Sequence, residues 1–200
     1  HTHCFVTEPY IDKYHFVADL GRDMILCFVV KNKTLKLIQE INLEKGSGPR
    51  HIVFHPDKKI LYVINELNST ITTLLLNDNF LLDIDDKSPV LQVINSISTL
   101  PFDFKCYDHH TSHASEIRIH PNGKILLALN RGHDSIAIFK IDNKGLLSLS
   151  NITSSGGKFP RNFNFDNSGK FLIVGNQNSN NITIFSIDSV SYTHLRAHET

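Results

Sequence analysis

The chain has 200 residues, 40 % hydrophobic and 20 % charged, enough for one good core or one large all-β domain of a globular protein. Its 20 Lys and Arg balance its 20 Asp and Glu, so no global field would attract nucleic acid or an acidic membrane. No run of about 18 apolar residues exists, which excludes a spanning helix. An odd, scattered set of cysteines, Cys4, Cys27 and Cys106, points to a reducing, cytoplasmic compartment without a disulfide frame.

In chain order, His1-Thr2-His3 opens a short strand that runs into TEPYIDK. YHFVADLGRDMILCFVV, from Tyr14, reads as two apolar runs separated by Asp19 and a polar turn, and KNKTLKLIQEI adds a further strand. GSGPR is a connection in which glycine lets the backbone turn; it lacks the spacing of a phosphate loop. RHIVFHPDKK from Arg50 is a strand ending in a turn, and ILYVINELNSTITTLLL from Ile60 is a strand pair pivoting on Asn65. NDNFLLDI with VLQVINSI supplies the next strand, within an insertion over roughly 77–107. YDHHTSH then offers Asp108, His109, His110 and His113, which could hold a transition metal through imidazoles but read better as a hydrogen-bonded or exposed histidine loop. The order repeats with SEIRIHPNGK from Ser115, ILLALNRGHDSIAIFKI around Asn130 and DNKGLLSLSNI. After the SSGGKFPR connection come RNFNFDNSGK from Arg161 and FLIVGNQNSNNITIFSI around Asn176. The final VSYTHLRAHET breaks the pattern and resembles a translated sequencing adapter, so residues 189–200 are expected to be a non-native tail outside the fold.

The anchors Asp19, Asn65, Asn130 and Asn176 stand 46, 65 and 46 residues apart, the long interval holding the insertion. Four-stranded units at this period are the signature of a β-propeller. A single twisted sheet cannot cover both of its faces, whereas sheets stacked around an axis cover one another, and strands buried on both sides are apolar at nearly every position. The expected blades are residues 1–48, 49–110, 111–157 and 158–188 of an all-β chain. A β-sandwich also uses short strands but does not predict four similar units.

Equivalent positions in successive blades form rings around a propeller axis. One ring opens each blade: His3, Arg50, Ser115 and Arg161. A second follows each anchor: Leu20, Glu66, Arg131 and Gln177. Both flank the innermost strands, so they are expected to converge on one mouth of the central channel. Arg forks there would bind carboxylate or phosphate at two points, and Glu66 or His3 could serve as a general base. The alternative is an ordinary set of solvated strand ends. His55 and His120 each precede Pro at one blade position and suit a structural role at the turn.

HTHCF, GSGPRHIVFHPDKKILYVINELNSTI, SHASEIRIHPNGKILLALNRGHDSIAIFKI and GGKFPRNFNFDNSGKFLIVGNQNSNNITIF closely resemble the lactonase family of seven-bladed propellers over about residues 1–188. That family includes propeller-type 6-phosphogluconolactonases and fungal carboxy-muconate cyclising enzymes. The resemblance implies about four consecutive blades of a seven-bladed ring. It also implies a site of one His, two Arg and a Glu, matched by His3, Arg50 in GPRH, Glu66 in NEL and Arg131 in NRG. Arg161 joins them as a substrate-binding candidate on blade geometry. The first blade departs from the family's Pro-Asp-Gly-Lys turn with TEPYIDKY, which leaves the register at His3 open by one residue. The implied activity is hydrolysis of a sugar-acid lactone, with 6-phosphogluconolactone foremost. A lactonising isomerase and a non-enzymatic binding platform are the alternatives. A small-molecule lactone is the expected partner, the whole protein is expected to be a monomer, and neither cofactor nor metal is called for.

Overall fold

A computed structural model describes residues 1–77, 89–104, 111–188 and 195–198. The described strands form four four-stranded antiparallel sheets. The first sheet is β1 (Thr2–Thr7), β2 (Tyr14–Asp19), β3 (Met24–Lys31) and β4 (Thr34–Asn42). The second is β5 (Pro49–Phe54), β6 (Ile60–Asn65), β7 (Thr70–Leu76) and β8 (Leu91–Ser98). The third is β9 (His113–Ile119), β10 (Ile125–Arg131), β11 (Ser135–Ile141) and β12 (Leu147–Ser154). The fourth is β13 (Pro160–Phe165), β14 (Phe171–Asn176), β15 (Asn181–Ile187) and β16 (Leu195–His198). Each is a meander with its strands in chain order, the blade of a propeller. No helix among the described residues is long and apolar enough to cross a membrane.

Three cores lie between blades rather than within them. Phe16 and Ile25 of the first blade pack with Leu61, Val63 and Leu74 of the second. Tyr62, Ile64 and Ile71 of the second pack with Leu126, Ala128 and Phe139 of the third. Leu127, Leu129 and Ile138 of the third pack with Phe163, Val174 and Phe185 of the fourth. Alternate residues of β6 and of β10 thus serve opposite neighbours, as the period of two demands. This accounts for the unbroken apolar runs that precede Asn65 and Asn130.

The anchors are buried fasteners. Asn65 donates from Nδ2 to the Thr70 and Thr72 hydroxyls, at 2.8 and 2.9 Å. Asn130 donates to the Thr99 carbonyl at 2.8 Å and accepts from the Thr99 hydroxyl at 2.6 Å. Each ties a hairpin corner to neighbouring strands where an apolar residue would leave polar groups unmatched.

The turn histidines tie blade to blade. His55 Nε2 meets the Gly123 carbonyl at 3.0 Å and His120 Nε2 meets the Gly169 carbonyl at 2.8 Å. Their Nδ1 atoms accept turn amides, from Asp57 and Lys58 to His55 and from Asn122 to His120. In the first blade Glu8 holds this position and accepts the amides of Tyr10, Ile11 and Lys13. That turn closes from Glu8 to Tyr14, one residue longer than His55 to Ile60 or His120 to Ile125. The irregular TEPYIDKY is therefore a one-residue insertion within the same turn.

Within residues 189–200, expected to lie outside the fold, Leu195–His198 pair with β15 as β16. An open sheet edge recruits an extended segment through backbone groups, with little demand on its side chains, so the segment can break the sequence repeat and still add a strand. Residues 189–194 and 199–200 lie outside the described residues, as do 78–88, which hold most of NDNFLLDI.

Candidate active site

The innermost strand of each blade carries one irregularity at one place. Pairing with the anchor strand shifts between Thr2 and Cys4, between Pro49 and His51, opposite Leu129 in the third blade, and between Pro160 and Asn162. The extra residues are His3, Arg50 and Arg161, with Ser115 at the corresponding point of the third blade. A bulge re-aims side chains. It lets two consecutive residues address one space: Arg50 with His51, and Arg161 with Asn162, line the same cavity of about 540 Å³. This pairing also fixes His3, and not His1, as the partner of Arg50 in blade register.

Glu66 lies between two guanidinium groups. One carboxylate oxygen accepts Arg50 Nη1 and the other lies 2.9 Å from Arg131 Nη2. Both arginine side chains are only 6 % exposed and Glu66 is 18 % exposed. Three further donors are held by backbone carbonyls: Arg50 Nε by Ser115 O at 2.8 Å, Arg131 Nε by His113 O at 3.2 Å and Arg131 Nη2 by Ala114 O at 3.1 Å. Arg131 also stands 5.3 Å from the centre of the Phe159 ring. Phe159 has φ +61°, a conformation rare for a bulky residue. It is held there by its N–H to Asp134 Oδ1 at 2.7 Å and by the Gln177 N–H on its carbonyl at 3.0 Å.

Burial would raise the pKa of Glu66, but the hydrogen bonds and charges of Arg131 and Arg50 outweigh it and hold it below the ordinary 4.5. Glu66 is therefore an ionised, weakly basic brace. His3 moves down from 6.5, first through burial and then through the charges of Arg50 and His51, with Glu66 opposing. It is a neutral imidazole at pH 7, and its buried Nδ1 has no hydrogen-bond partner among the described residues.

The structure thus brings His3, Arg50, Glu66, Arg131 and Arg161 together at one end of the innermost strands, with unequal access. Arg50 and the exposed Arg161 line the cavity, as does Gln177, whereas His3, Glu66 and Arg131 are not among its lining residues. Ser115 faces away in function, donating from Oγ to the Pro160 carbonyl at 2.8 Å, and Leu20 begins a 3-10 turn, Leu20–Arg22. Asp108, His109 and His110 lie outside the described residues; His113 contributes its carbonyl to Arg131. Among the described residues no three His, Cys, Asp or Glu side chains form a metal-sized group.

Sequence reasoning missed a second ring one residue further along: Cys4, His51, Glu116 and Asn162. His51 Nδ1 lies 3.0 Å from Glu116 Oε1, and Asn162 donates from Nδ2 to Glu116 Oε2 at 2.6 Å. The blade alignment that aligned Arg50 with Ser115 and Arg161 already aligned these residues. The missing signal was the bulge, which brings the following residue to the same side.

A propeller with a charged, bulge-built site at one end of its innermost strands is the class of protein defined here. The sequence pattern of the lactonase family, described as a 7-bladed β-propeller, matches residues 1–196. The chain belongs to this family and carries four blades of its fold. It is 41 % identical over 186 residues to a protein of Formosa agariphila named 6-phosphogluconolactonase, covering 88 % of this chain and 48 % of that one. It is 40 % identical over 173 residues to a Lactococcus lactis protein without an assigned activity, covering 86 % and 47 %. The periplasmic gluconolactonase PpgL of Pseudomonas aeruginosa superposes with TM-score 0.84 at 25 % identity, covering 100 % of this chain and 53 % of that one. The chain spans about half the length of the curated relatives it matches.

Proposed function

We propose that the protein carrying these blades is a lactone hydrolase acting on anionic sugar-acid lactones, with 6-phosphogluconolactone as the favoured substrate. The observation that carries this reading is the Arg50–Glu66–Arg131 brace at a cavity also faced by Arg161. Glu66 fixes the Arg50 guanidinium in place before substrate arrives, so little reorganisation is needed when charge develops on the carbonyl oxygen. Arg161, exposed on the same cavity, suits the phosphate or carboxylate of the substrate. An imidazole rather than Glu66 removes the proton from the attacking water, because the two arginines keep Glu66 ionised and weakly basic. Family membership and the relative named 6-phosphogluconolactonase support the reaction class. A cytoplasmic location, a monomeric whole protein and the lack of a cofactor belong to the same reading.

The test is hydrolysis of 6-phosphogluconolactone, glucono-lactone and a carboxylated muconolactone by the complete seven-bladed protein, measured above the spontaneous rate. Acceleration of the phosphorylated lactone supports the reading. Conversion of the muconolactone alone would replace it with the isomerase, and no acceleration of any would leave a binding platform.

A further inference from the structure

The second ring carries the groups of a proton-transfer site. His51 comes from β5, Glu116 from β9 and Asn162 from β13, so three blades each supply one member. His51 is 24 % exposed and lines the cavity, whereas the Glu116 side chain is 7 % exposed. Every nearby partner of Glu116 favours its carboxylate: His51 Nδ1 at 3.0 Å and the Ile117 amide at 3.1 Å on Oε1, Asn162 Nδ2 at 2.6 Å and Arg118 Nη2 at 3.7 Å on Oε2. Burial raises its pKa, but the bond and charge of His51, the Ile117 amide and Arg118 prevail and hold it below 4.5. An ionised carboxylate can only accept, so the His51 proton sits on Nδ1 and the lone pair on Nε2, the nitrogen left for the cavity.

We infer that His51, oriented by Glu116 and Asn162, is the general base of this site. The inference rests on the lactonase reading and decides which imidazole performs the proton transfer. His3 touches His51 edge-on, ring centres 5.1 Å apart, but no carboxylate among the described residues hydrogen-bonds its Nδ1. The charged and titratable groups around His51 and its partner Glu116 are His3 and Cys4 from β1, Arg118 from β9 against Glu116, Arg161 across the cavity on β13, and Arg50 with its partner Glu66 on the blade of His51.

The step balances without another reactant. His51 Nε2 takes a proton from water as the water oxygen bonds to the lactone carbonyl carbon, and the carbonyl electron pair becomes an oxyanion facing Arg50. Collapse of that intermediate breaks the bond between the acyl carbon and the ring oxygen. The imidazolium returns its proton to the departing ring oxygen, giving the hydroxy acid and neutral His51. Glu116 remains ionised throughout and acts as a positioning residue.

The experiment uses the complete protein as wild type, His51→Gln and Glu116→Gln, with 6-phosphogluconolactone across pH 5–9. General-base loss predicts a fall in kcat of about 10²-fold or more in His51→Gln, with KM within about threefold and the acid limb of the pH profile gone. Glu116→Gln should lower kcat about tenfold or more and move the acid limb to lower pH, because the charge that favours the imidazolium has been removed. Wild-type kcat in His51→Gln, or an acid limb unchanged in both variants, would overturn the proposal. Nitrogen-15 NMR of the wild-type His51 ring gives a reading independent of activity and of variant folding: a neutral ring protonated on Nδ1 is expected. A ring protonated on Nε2 would overturn the dyad. If no lactone is hydrolysed by wild type while the Nδ1-protonated ring is present, the functional reading fails and the dyad stands as a site for another proton transfer.

Discussion

Replacing Glu66 by Gln removes the one negative charge between two buried guanidinium groups while keeping the side chain's shape. Removing one partner of a buried ion pair typically destabilises by about 3–5 kcal/mol. Here the carboxylate is 18 % exposed, and both arginines keep carbonyl partners at Ser115, His113 and Ala114. Those bonds and partial solvent access reduce the expected loss to about 2–4 kcal/mol. With a urea m-value of about 3 kcal/mol/M, the midpoint should fall by about 1 M. The pH dependence supplies an internal check. The folded-state pKa of Glu66 lies below 4.5, so its contribution is fully present above that value and is lost as pH falls through the lower, folded-state value. The gap between wild type and variant should therefore be constant from about pH 6 to 8 and shrink on acidification below about pH 4.5. In a double-mutant cycle with Arg131→Gln, the two changes should couple by about 1 kcal/mol or more. Equal urea midpoints at pH 7 with equal m-values, or a gap that widens in acid, would refute the brace.

The buried histidines make a separate pH prediction. The pKa values of His3, His55 and His133 are depressed below 6.5, chiefly by burial, so the unfolded chain takes up protons first and stability should fall as pH drops below about 6.5. His55→Gln should flatten part of that decline and cost about 1–3 kcal/mol at pH 7.5, because the turn amides and the Gly123 carbonyl lose their partner; thermal melts across pH 5–8 check both effects. Gly132→Ala should destabilise by about 2 kcal/mol or more in urea titration, since φ is +95° and the new methyl would meet the Thr111 carbonyl oxygen at 2.2 Å. Asn130→Ala should cost about 2 kcal/mol by the same assay, because the buried Thr99 carbonyl loses the Asn130 amide while the Thr99 hydroxyl keeps only the Ser69 carbonyl.

The blade repeat was legible because the anchors and the two-sided apolar runs are properties of single strands. Leu61 and Tyr62 had to serve different cores once β6 was read as covered on both faces. The bulges were not legible, since each depends on how two strands pair; no residue at Arg50 or Arg161 announces one. Without them, His51, Glu116 and Asn162 read as side chains on the opposite face. The charges of Glu66 and Arg131 pointed to a shared site, but only the packing shows Glu66 joined to both Arg50 and Arg131, with Arg50 alone of the three on the cavity wall. β16 was illegible for another reason: an edge strand joins through backbone bonds that leave little trace in composition.

The most direct measurement of the central claim, that the bulged ring forms a lactone-hydrolysing site, is the initial rate of 6-phosphogluconolactone hydrolysis by the complete protein and its Arg50→Met variant, corrected for the spontaneous reaction. Wild type should exceed the background, and loss of an oxyanion-stabilising guanidinium should lower kcat about 10²-fold or more. A wild-type rate equal to background, or an Arg50→Met rate equal to wild type, would contradict the account.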